Sequence, residues 1–364
     1  MTHPLIVAAK RTAVSPKGGT LSKLSLEELA APVLQQVLLD AGLTAELVDE
    51  VIVSNALGAG GNPARLITLH AGFTQHVAGI TIDRQCVGGL DAIGLAATLI
   101  RSGAASCVIA GGVESYSQRP ERRYLQPDGT YRFSDRPRFA PKAALDPDLA
   151  SAAAELADIR QIAQSEQDAF ACESHAKAMA SEFGQEIVSV DFTAQRDSFA
   201  RHMSHALCAR APRIEGSITY ANSAVAADAA AFCLIVSPQF ARQHGLAGTE
   251  IVDHLTLGSD PRQPALSPVY AIRKVLDRNA LQPADLQKIE LMEAYAVQAI
   301  VCARDCDLPI DRLNQKGGAL ARGHPIGASG AILAVRLFHD LDQGHGLASI
   351  AAAGGLGTAM LIRR

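Results

Sequence analysis

One strand–helix unit occurs twice in the sequence, and this repeat restricts the chain to a small set of folds. Cys86-Val-Gly-Gly-Leu-Asp-Ala-Ile-Gly-Leu-Ala-Ala resembles His324-Pro-Ile-Gly-Ala-Ser-Gly-Ala-Ile-Leu-Ala-Val. Each segment is followed by an apolar run that ends in glycines, at residues 107–115 and 348–358. The duplication predicts two similar halves related by a pseudo-two-fold axis. Such an axis would bring the two helix starts, and with them Cys86 and His324, close together.

Cys86 is the candidate nucleophile of this pair. An apolar run at residues 78–82 precedes it, and a helix-like run to about residue 100 follows it. We therefore expect its sulfur at a helix N-terminus, where unpaired N–H groups and the helix dipole favour a thiolate. Gly88 and Gly89 would leave room for a substrate carbonyl, and His324 is the candidate base. Taken alone, Cys86 would more often be a small buried cysteine, and His324 a turn histidine.

Composition narrows the class of protein. Of 364 residues, 48% are apolar and 19% charged, which suits a tightly packed α/β protein, and a net charge of -4 implies no nucleic-acid surface. The apolar runs are too interrupted for a membrane span. Seven scattered cysteines and a start almost directly on a strand predict a cytoplasmic protein without a signal peptide. The pairs His202/His205 and Cys302/Cys306 lack further nearby ligands, so we expect no metal site.

Several motifs resemble those of the thiolase superfamily, whose members condense or cleave acyl-CoA. They occur in the family's order over nearly the full length. They are Ile-Val-Ala-Ala-Lys-Arg-Thr-Ala at 6–13, the Cys86 loop, Ala-Gly-Gly-Val-Glu-Ser at 110–115, Glu-Gln-Asp-Ala-Phe at 166–170, Pro-Val-Tyr-Ala-Ile-Arg-Lys at 268–274 and the Gly-His-Pro loop. The resemblance implies the α/β thiolase fold. Two similar βαβαβαββ-type halves would form a layered α-β-α-β-α core with an inserted loop domain.

The composition along the chain predicts where that insertion lies. Prolines and arginines become frequent after residue 117, and regular strand patterns return after residue 215. We expect an N-terminal half at 1–117 plus 216–245, a loop domain at 118–215 and a C-terminal half at 246–364. By the resemblance, the loop domain covers the active site and holds coenzyme A. Its arginines either attract the phosphates of coenzyme A or form a solvated or oligomer-contacting surface.

The resemblance also implies roles for single residues. Cys86 would take the acyl group of a coenzyme A thioester, and His324 would activate it. The family's second catalytic cysteine lies in a Cys-x-Gly-Gly-Gly motif, which reads Ala351-Ala352-Ala353-Gly354-Gly355 here. Ala351 cannot carry a proton, whereas Ala353, followed by Gly354, keeps the backbone N–H of an oxyanion hole. The resemblance further implies an acyl-CoA substrate, no permanently bound cofactor, and a homodimer or homotetramer.

Three further positions differ from the family pattern. Asn-Glu-Ala-Phe, whose asparagine holds a water in the other oxyanion hole, reads Met292-Glu-Ala-Tyr here, and methionine anchors water poorly. The segment Asn-Ala-Ser-Gly, which touches coenzyme A, reads Asn-Ser223-Ala224-Val. Arg322 replaces a usually apolar residue and could bind an acidic acceptor.

Three functions fit these departures. The first is a thiolase-type acyl-CoA C-acyltransferase in which His324 doubles as the second base. The second is a non-condensing acyltransferase or hydrolase, whose acyl-Cys86 is resolved by water, an amine, an alcohol or an already acidic carbon. The third is a catalytically reduced subunit that packs against a related active partner.

Overall fold

The computed structural model describes residues 3–58, 60–134, 136–190 and 196–364. Its strands are β1 (Leu5–Thr12), β2 (Ser15–Pro16), β3 (Glu50–Ser54), β4 (Ala78–Ile82), β5 (Cys107–Glu114), β6 (Arg123–Leu125), β7 (Tyr131–Phe133), β8 (Ile187–Val188), β9 (Arg213–Glu215), β10 (Ile218–Thr219), β11 (Ala227–Val236), β12 (Thr249–Gly258), β13 (Leu286–Leu291), β14 (His345–Ala352) and β15 (Leu356–Arg363). Its α-helices are α1 (Leu26–Ala41), α2 (Pro63–His70), α3 (Gly88–Arg101), α4 (Leu149–Ile159), α5 (Gln164–Met179), α6 (His205–Cys208), α7 (Pro238–His244), α8 (Ser267–Arg278), α9 (Ala296–Asp305), α10 (Ala319–Arg322) and α11 (Ile326–Asp340).

The main sheet repeats one pairing pattern in its two halves. Its strand order is β13-β14-β15-β12-β1-β11-β5-β3-β4. In the first half β3 is parallel to β5, and β5, β11 and β1 then pair antiparallel. In the second half β13 is parallel to β14, and β14, β15 and β12 then pair antiparallel. The repeat predicted from the sequence is therefore a repeat of the α/β fold.

In the described part of the chain, the counterpart of β4 in the second half is only partial. In the first half β4 runs parallel to β3 just before Cys86. The corresponding position beside β13 holds a single parallel bridge between Ile289 and Leu313. The halves join where β1 pairs with β12, at Leu5–Glu250 and Ile6–Thr249. Both halves thus belong to one sheet that continues from edge to edge.

Two helices form the middle layer of the fold. Helices α3 and α11 pack against each other, and strands of both halves contact them. Helices α1 and α2 cover the outer face of the first half, and α8 and α9 that of the second. The contact between α3 and α11 depends on glycine, because a Cβ at Gly89 would lie 2.7 Å from Ala331 N and Gly327 O. This is the expected α-β-α-β-α order, and it places the starts of α3 and α11 side by side.

Residues between β5 and β11 pack over these helix starts. Helix α4 and part of α5 share an apolar cluster with α9 and Leu320, and β6 and β7 form a separate exposed hairpin. Asp148 caps α4 by accepting hydrogen bonds from Ala150 N and Ser151 N. Among the described residues, no helix is both long and apolar enough to cross a membrane.

Candidate active site

Cys86 lies in a short turn between β4 and α3. The turn spans Gln85–Val87 and leads directly into α3. Gln85 adopts a φ of 52°, which is uncommon for a residue with a side chain. Asp83 holds this conformation, because its Oδ1 accepts the Gln85 backbone N–H at 2.9 Å. The sulfur is thereby fixed at the helix start, as the sequence predicts, but the strained residue before it carries no signal in the sequence.

His324 lies in the loop between α10 and α11 and meets Cys86. Its Nε2 is 3.1 Å from Cys86 Sγ, and its backbone N–H donates to Val225 O at 2.7 Å. Ser329 Oγ is 2.6 Å from Nδ1 and donates to Pro325 O at 3.1 Å. Since the serine proton goes to that carbonyl, we assign the imidazole proton to Nδ1. The Nε2 lone pair then faces the thiol.

Burial keeps both partners uncharged. It raises the pKa of Cys86 to about 12, and Glu114 and Asp83 add to the rise, although the N–H groups of Cys86 and Ala353 hydrogen-bond to the sulfur and oppose it. Burial, with a smaller effect of Arg322, lowers the pKa of His324 to about 4. The backbone N–H groups at the helix start favour a thiolate, as the sequence predicts, but burial outweighs their effect on the pKa of Cys86. The pair is a neutral thiol hydrogen-bonded to a neutral imidazole.

Ala353 occupies the tight turn between β14 and β15. Gly354 and Gly355 both adopt a φ of 78°, which lets the chain reverse after β14. The turn leaves the Ala353 N–H directed at the Cys86 sulfur. Two backbone N–H groups, those of Cys86 and Ala353, therefore converge on the reacting atom. Such an arrangement can stabilise an oxyanion.

Glu114 anchors the start of α11, a role that the sequence reasoning missed. It is fully buried at the end of β5 and accepts the Gly327 N–H at 3.0 Å. It also accepts the N–H groups of Ala56 at 3.0 Å and Leu57 at 3.1 Å. Burial raises its pKa to about 7, against these donors. Glu114 thus ties the helix that carries His324 to the first half of the sheet. A carboxylate directly after a buried strand is the one sequence signal for it.

The Cys86–His324 pair lies on a cavity of about 390 Å³ whose walls are mostly apolar. Six predicted site residues line it: Cys86, His324, Ala351, Ala353, Ser223 and Ala224. Residues between 118 and 215 also contribute to its walls: Phe139, Leu149, Ala152, Ala153 and Ile214. The cavity could therefore enclose a largely apolar ligand above the sulfur.

Three predicted site residues lie elsewhere. Met292 is 1% exposed in the core between the sheet halves and does not line the cavity. Gly354 allows the chain to reverse after β14 and does not line the cavity. Arg322 is buried, its Nη1 donates to Gly317 O at 3.4 Å, and burial and Arg336 lower its pKa to about 10. The expectation that Arg322 binds an acidic acceptor is therefore wrong, because its guanidinium lies within the protein core.

The arginines between 118 and 138 are partly used inside the protein. Arg136 pairs with Asp146, and Arg123 pairs with Glu121 at 3.1 Å. Arg123 also lies over the Phe133 ring at 4.5 Å. These contacts favour a structural role for at least Arg136, which is half-buried.

Comparisons with known proteins agree along the whole chain. The family model described as thiolase, N-terminal domain matches residues 5–239, and that described as thiolase, C-terminal domain matches residues 246–364. YhfS of Bacillus subtilis, named provisionally as an acetyl-CoA C-acetyltransferase, is 38% identical over 99% of this chain and 98% of its own. VraB of Staphylococcus aureus, named provisionally in the same way, is 36% identical over 100% of both chains. The crystal structure of the Bacillus anthracis acetyl-CoA acetyltransferase is 30% identical, covers 100% of this chain and 99% of its own, and superimposes with a TM-score of 0.93.

Proposed function

Because the chain belongs to the thiolase family and is an acyltransferase, we propose that it takes the acyl group of a coenzyme A thioester onto Cys86, with His324 as the base. The observation that carries the proposal is the 3.1 Å contact between Cys86 Sγ and His324 Nε2 at the cavity. That separation is within the range for proton transfer. The intact pair disfavours a catalytically reduced subunit.

Because Cys86 and His324 are both neutral, attack by the sulfur and transfer of its proton should occur together in the first step. The sulfur attacks the thioester carbonyl carbon while its proton moves to Nε2 of His324. The N–H groups of Cys86 and Ala353, which act on the sulfur, would stabilise the oxygen that becomes negative on the attacked carbon. The thioester C–S bond then breaks, and the imidazolium returns the proton to the departing coenzyme A thiolate. The products are acyl-Cys86, free coenzyme A and neutral His324.

Carbon–carbon bond formation has less support from the site. Ala351 lines the cavity where the family has its second cysteine, and Met292 lies in the core, so neither supplies a proton or holds a water. His324 is the one imidazole among the described residues of the cavity wall and becomes available again after acylation. We propose that acyl capture is fast and condensation slow. Because Ala351 cannot move a proton, a non-condensing acyltransferase or hydrolase is the alternative function, in which the acyl group is transferred to water, a heteroatom or an already acidic carbon.

The cavity walls fit the pantetheine and acyl parts of an acyl-CoA. Its mostly apolar lining suits methylene groups. Ser223 lines the cavity, and its Oγ has no hydrogen-bond partner among the described residues, so a ligand amide could satisfy it. The neighbouring Ala224 N–H is already used, since it donates to Ala294 O at 3.0 Å. We therefore propose Ser223 as the polar contact to the substrate, with Ala224 shaping the wall.

We further propose that the enzyme works as a homodimer or homotetramer in the cytoplasm. Strand β4 lies at the edge of the sheet and exposes apolar residues, including Ile80 at 37% exposure. An exposed apolar edge strand offers unpaired backbone groups with which another chain can pair. All seven cysteines are free thiols, which suits a reducing compartment. Light scattering on the purified protein would measure the assembly, and a monomer would contradict it.

Exchange of labelled coenzyme A into acetyl-CoA tests the acyl-enzyme without requiring condensation. We expect the wild type to catalyse exchange, Cys86→Ala to lose it, and Cys172→Ala, which alters a thiol outside the cavity, to keep it. Acetoacetyl-CoA formation by the wild type should be at least about a hundredfold slower than exchange, because Ala351 supplies no second base and Met292 holds no water. Exchange that persists in Cys86→Ala would overturn the proposal. Condensation as fast as exchange would instead show an ordinary thiolase reaction.

A further inference from the structure

Two phenols in the cavity wall have no assigned role. The side chains of Tyr116 and Tyr295 line the same cavity as Cys86. Neither hydroxyl makes a hydrogen bond to the described part of the chain. Gln85 and Gln298, which also line it, already bond to protein groups. A partly buried phenol without a partner is an available hydrogen-bond donor for a ligand.

Tyr116 is the better placed of the two. It follows β5 by two residues, next to Glu114, so it is attached to the same anchored segment that positions α11. Tyr295 pairs with Ser223 in an antiparallel bridge, on the side of the cavity proposed for the pantetheine. Tyr116 instead adjoins the segment that meets the start of α11, next to the loop of His324.

The phenol of Tyr116 can donate but not act as a base. Burial raises its pKa above the ordinary value, so the hydroxyl keeps its proton at neutral pH. Its ring also has the Arg119 guanidinium 5.7 Å from its centroid, which fixes one face. A neutral, positioned O–H in an apolar cavity is suited to stabilising a negatively charged oxygen.

The site needs such a donor. An enolate formed from a thioester carries its charge on oxygen, and the residue expected to serve it, Met292, is in the core. We propose that Tyr116 is a catalytic residue of the carbon–carbon step, whose O–H donates a hydrogen bond to the enolate oxygen of the coenzyme A thioester. This inference rests on the proposed function, because it requires acyl-Cys86 as the other reactant.

The step balances without a further reactant. In cleavage of a 3-ketoacyl-CoA, Cys86 gives its proton to His324 and bonds to the keto carbon. The bond between that carbon and the α-carbon breaks, and its electron pair forms the enolate, held by the Tyr116 O–H. His324 then returns the proton to the α-carbon, which leaves acyl-Cys86 and a shortened acyl-CoA. Condensation is the reverse, and Tyr116 keeps its proton throughout.

Tyr116→Phe separates this role from wall packing, since it removes only the hydroxyl. Two assays are compared on each purified protein: label exchange between coenzyme A and acetyl-CoA, which forms no enolate, and cleavage of acetoacetyl-CoA, which does. We expect Tyr116→Phe to keep exchange within about threefold and to lose cleavage by about 10²-fold, the usual effect of removing one oxyanion donor. Tyr270→Phe, on the half-exposed face of α8, should change neither rate.

The outcomes distinguish this inference from the proposed function. Equal cleavage by Tyr116→Phe and wild type would overturn the role of Tyr116 while the acyl-enzyme stands. Parallel loss of exchange and cleavage would also overturn it, because the hydroxyl would then serve the fold or the capture step. Wild-type cleavage no faster than that of Cys86→Ala would exclude enolate chemistry at this site. Absence of wild-type exchange would remove the proposed function, and this inference with it.

Discussion

Cys86 and His324 face each other in surroundings that keep both groups neutral, and this determines how acyl capture should depend on pH. Burial lowers the pKa of His324 to about 4, so Nε2 can accept the thiol proton at any higher pH. His324 alone should therefore keep capture nearly constant from pH 8 to about pH 5 and let it fall as the pH drops through about 4. Protonation of Glu114, whose pKa burial raises to about 7, should slow capture at higher pH by weakening the anchor of α11. A thiolate mechanism would instead follow the titration of the thiol, whose pKa burial raises to about 12. Single-turnover release of coenzyme A measures the profile, and a loss of rate near pH 6.5 that persists in Glu114→Gln would contradict the neutral pair.

Glu114 is a second single residue on which acyl capture should depend, because it accepts backbone N–H groups from both halves. Its Oε2 accepts N–H groups from Ala56 and Gly327. In Glu114→Gln, one orientation of the amide turns its N–H₂ group toward the Gly327 N–H and the other toward the Leu57 N–H, so the link between α11 and the first half of the sheet is displaced at one end. We expect capture to slow by about 10²-fold, as an ångström-scale displacement of a catalytic group does. Glu121→Gln, on an exposed carboxylate, is the matched control. A Glu114→Gln enzyme with wild-type capture would show that His324 does not depend on this anchor.

At the scale of helices, the site depends on the close contact of α3 and α11. An added Cβ in Gly89→Ala would lie 2.7 Å from backbone atoms of α11, so the helices must separate. We expect a loss of about 1–3 kcal/mol in the free energy of unfolding, measured by urea denaturation. Gly258→Ala, at the end of β12, has no atom within 4 Å of the added carbon and should cost less than about 1 kcal/mol. Equal urea midpoints for Gly89→Ala and Gly258→Ala would show that the contact between α3 and α11 can accommodate an added carbon atom.

The sequence could predict features that are local to one helix or strand, but not those that depend on how distant elements pack together. The repeated glycine-rich segments predicted the pairing of Cys86 with His324, because both are local signals at helix starts. The contact of Glu114 with Gly327 joins residues 213 apart and depends on how the two halves dock. The burial of Met292 and Arg322, and the cavity position of Tyr116, arise in the same way. Family motifs locate such residues along the chain but do not give the direction in which the side chains point.

Across the whole molecule, a buried ion cluster links the two halves. Arg11 of β1 and Arg336 of α11 both bind Glu186 Oε1, at 2.7 and 3.3 Å. Burial would raise the pKa of Glu186, but the two guanidinium groups outweigh it and lower the pKa to about 2. The resulting stabilisation is present above the unfolded pKa of 4.5 and is lost as the pH falls toward 2. Urea denaturation at pH 6 and pH 3 should show wild type losing about 2 kcal/mol more than Glu186→Gln. An equal loss in both would exclude this cluster as the acid-sensitive link.

The most direct measurement of the mechanism locates the acyl group on the chain. The protein is incubated with acetyl-CoA at neutral pH, digested and analysed by peptide mass spectrometry. We predict one acetyl group on the peptide that contains Cys86, none in Cys86→Ala, and labelling slowed by about 10²–10⁴-fold in His324→Ala, since a positioned base contributes that much. An acetyl group on another residue, or one that persists in Cys86→Ala, would contradict the assignment of Cys86 as the nucleophile.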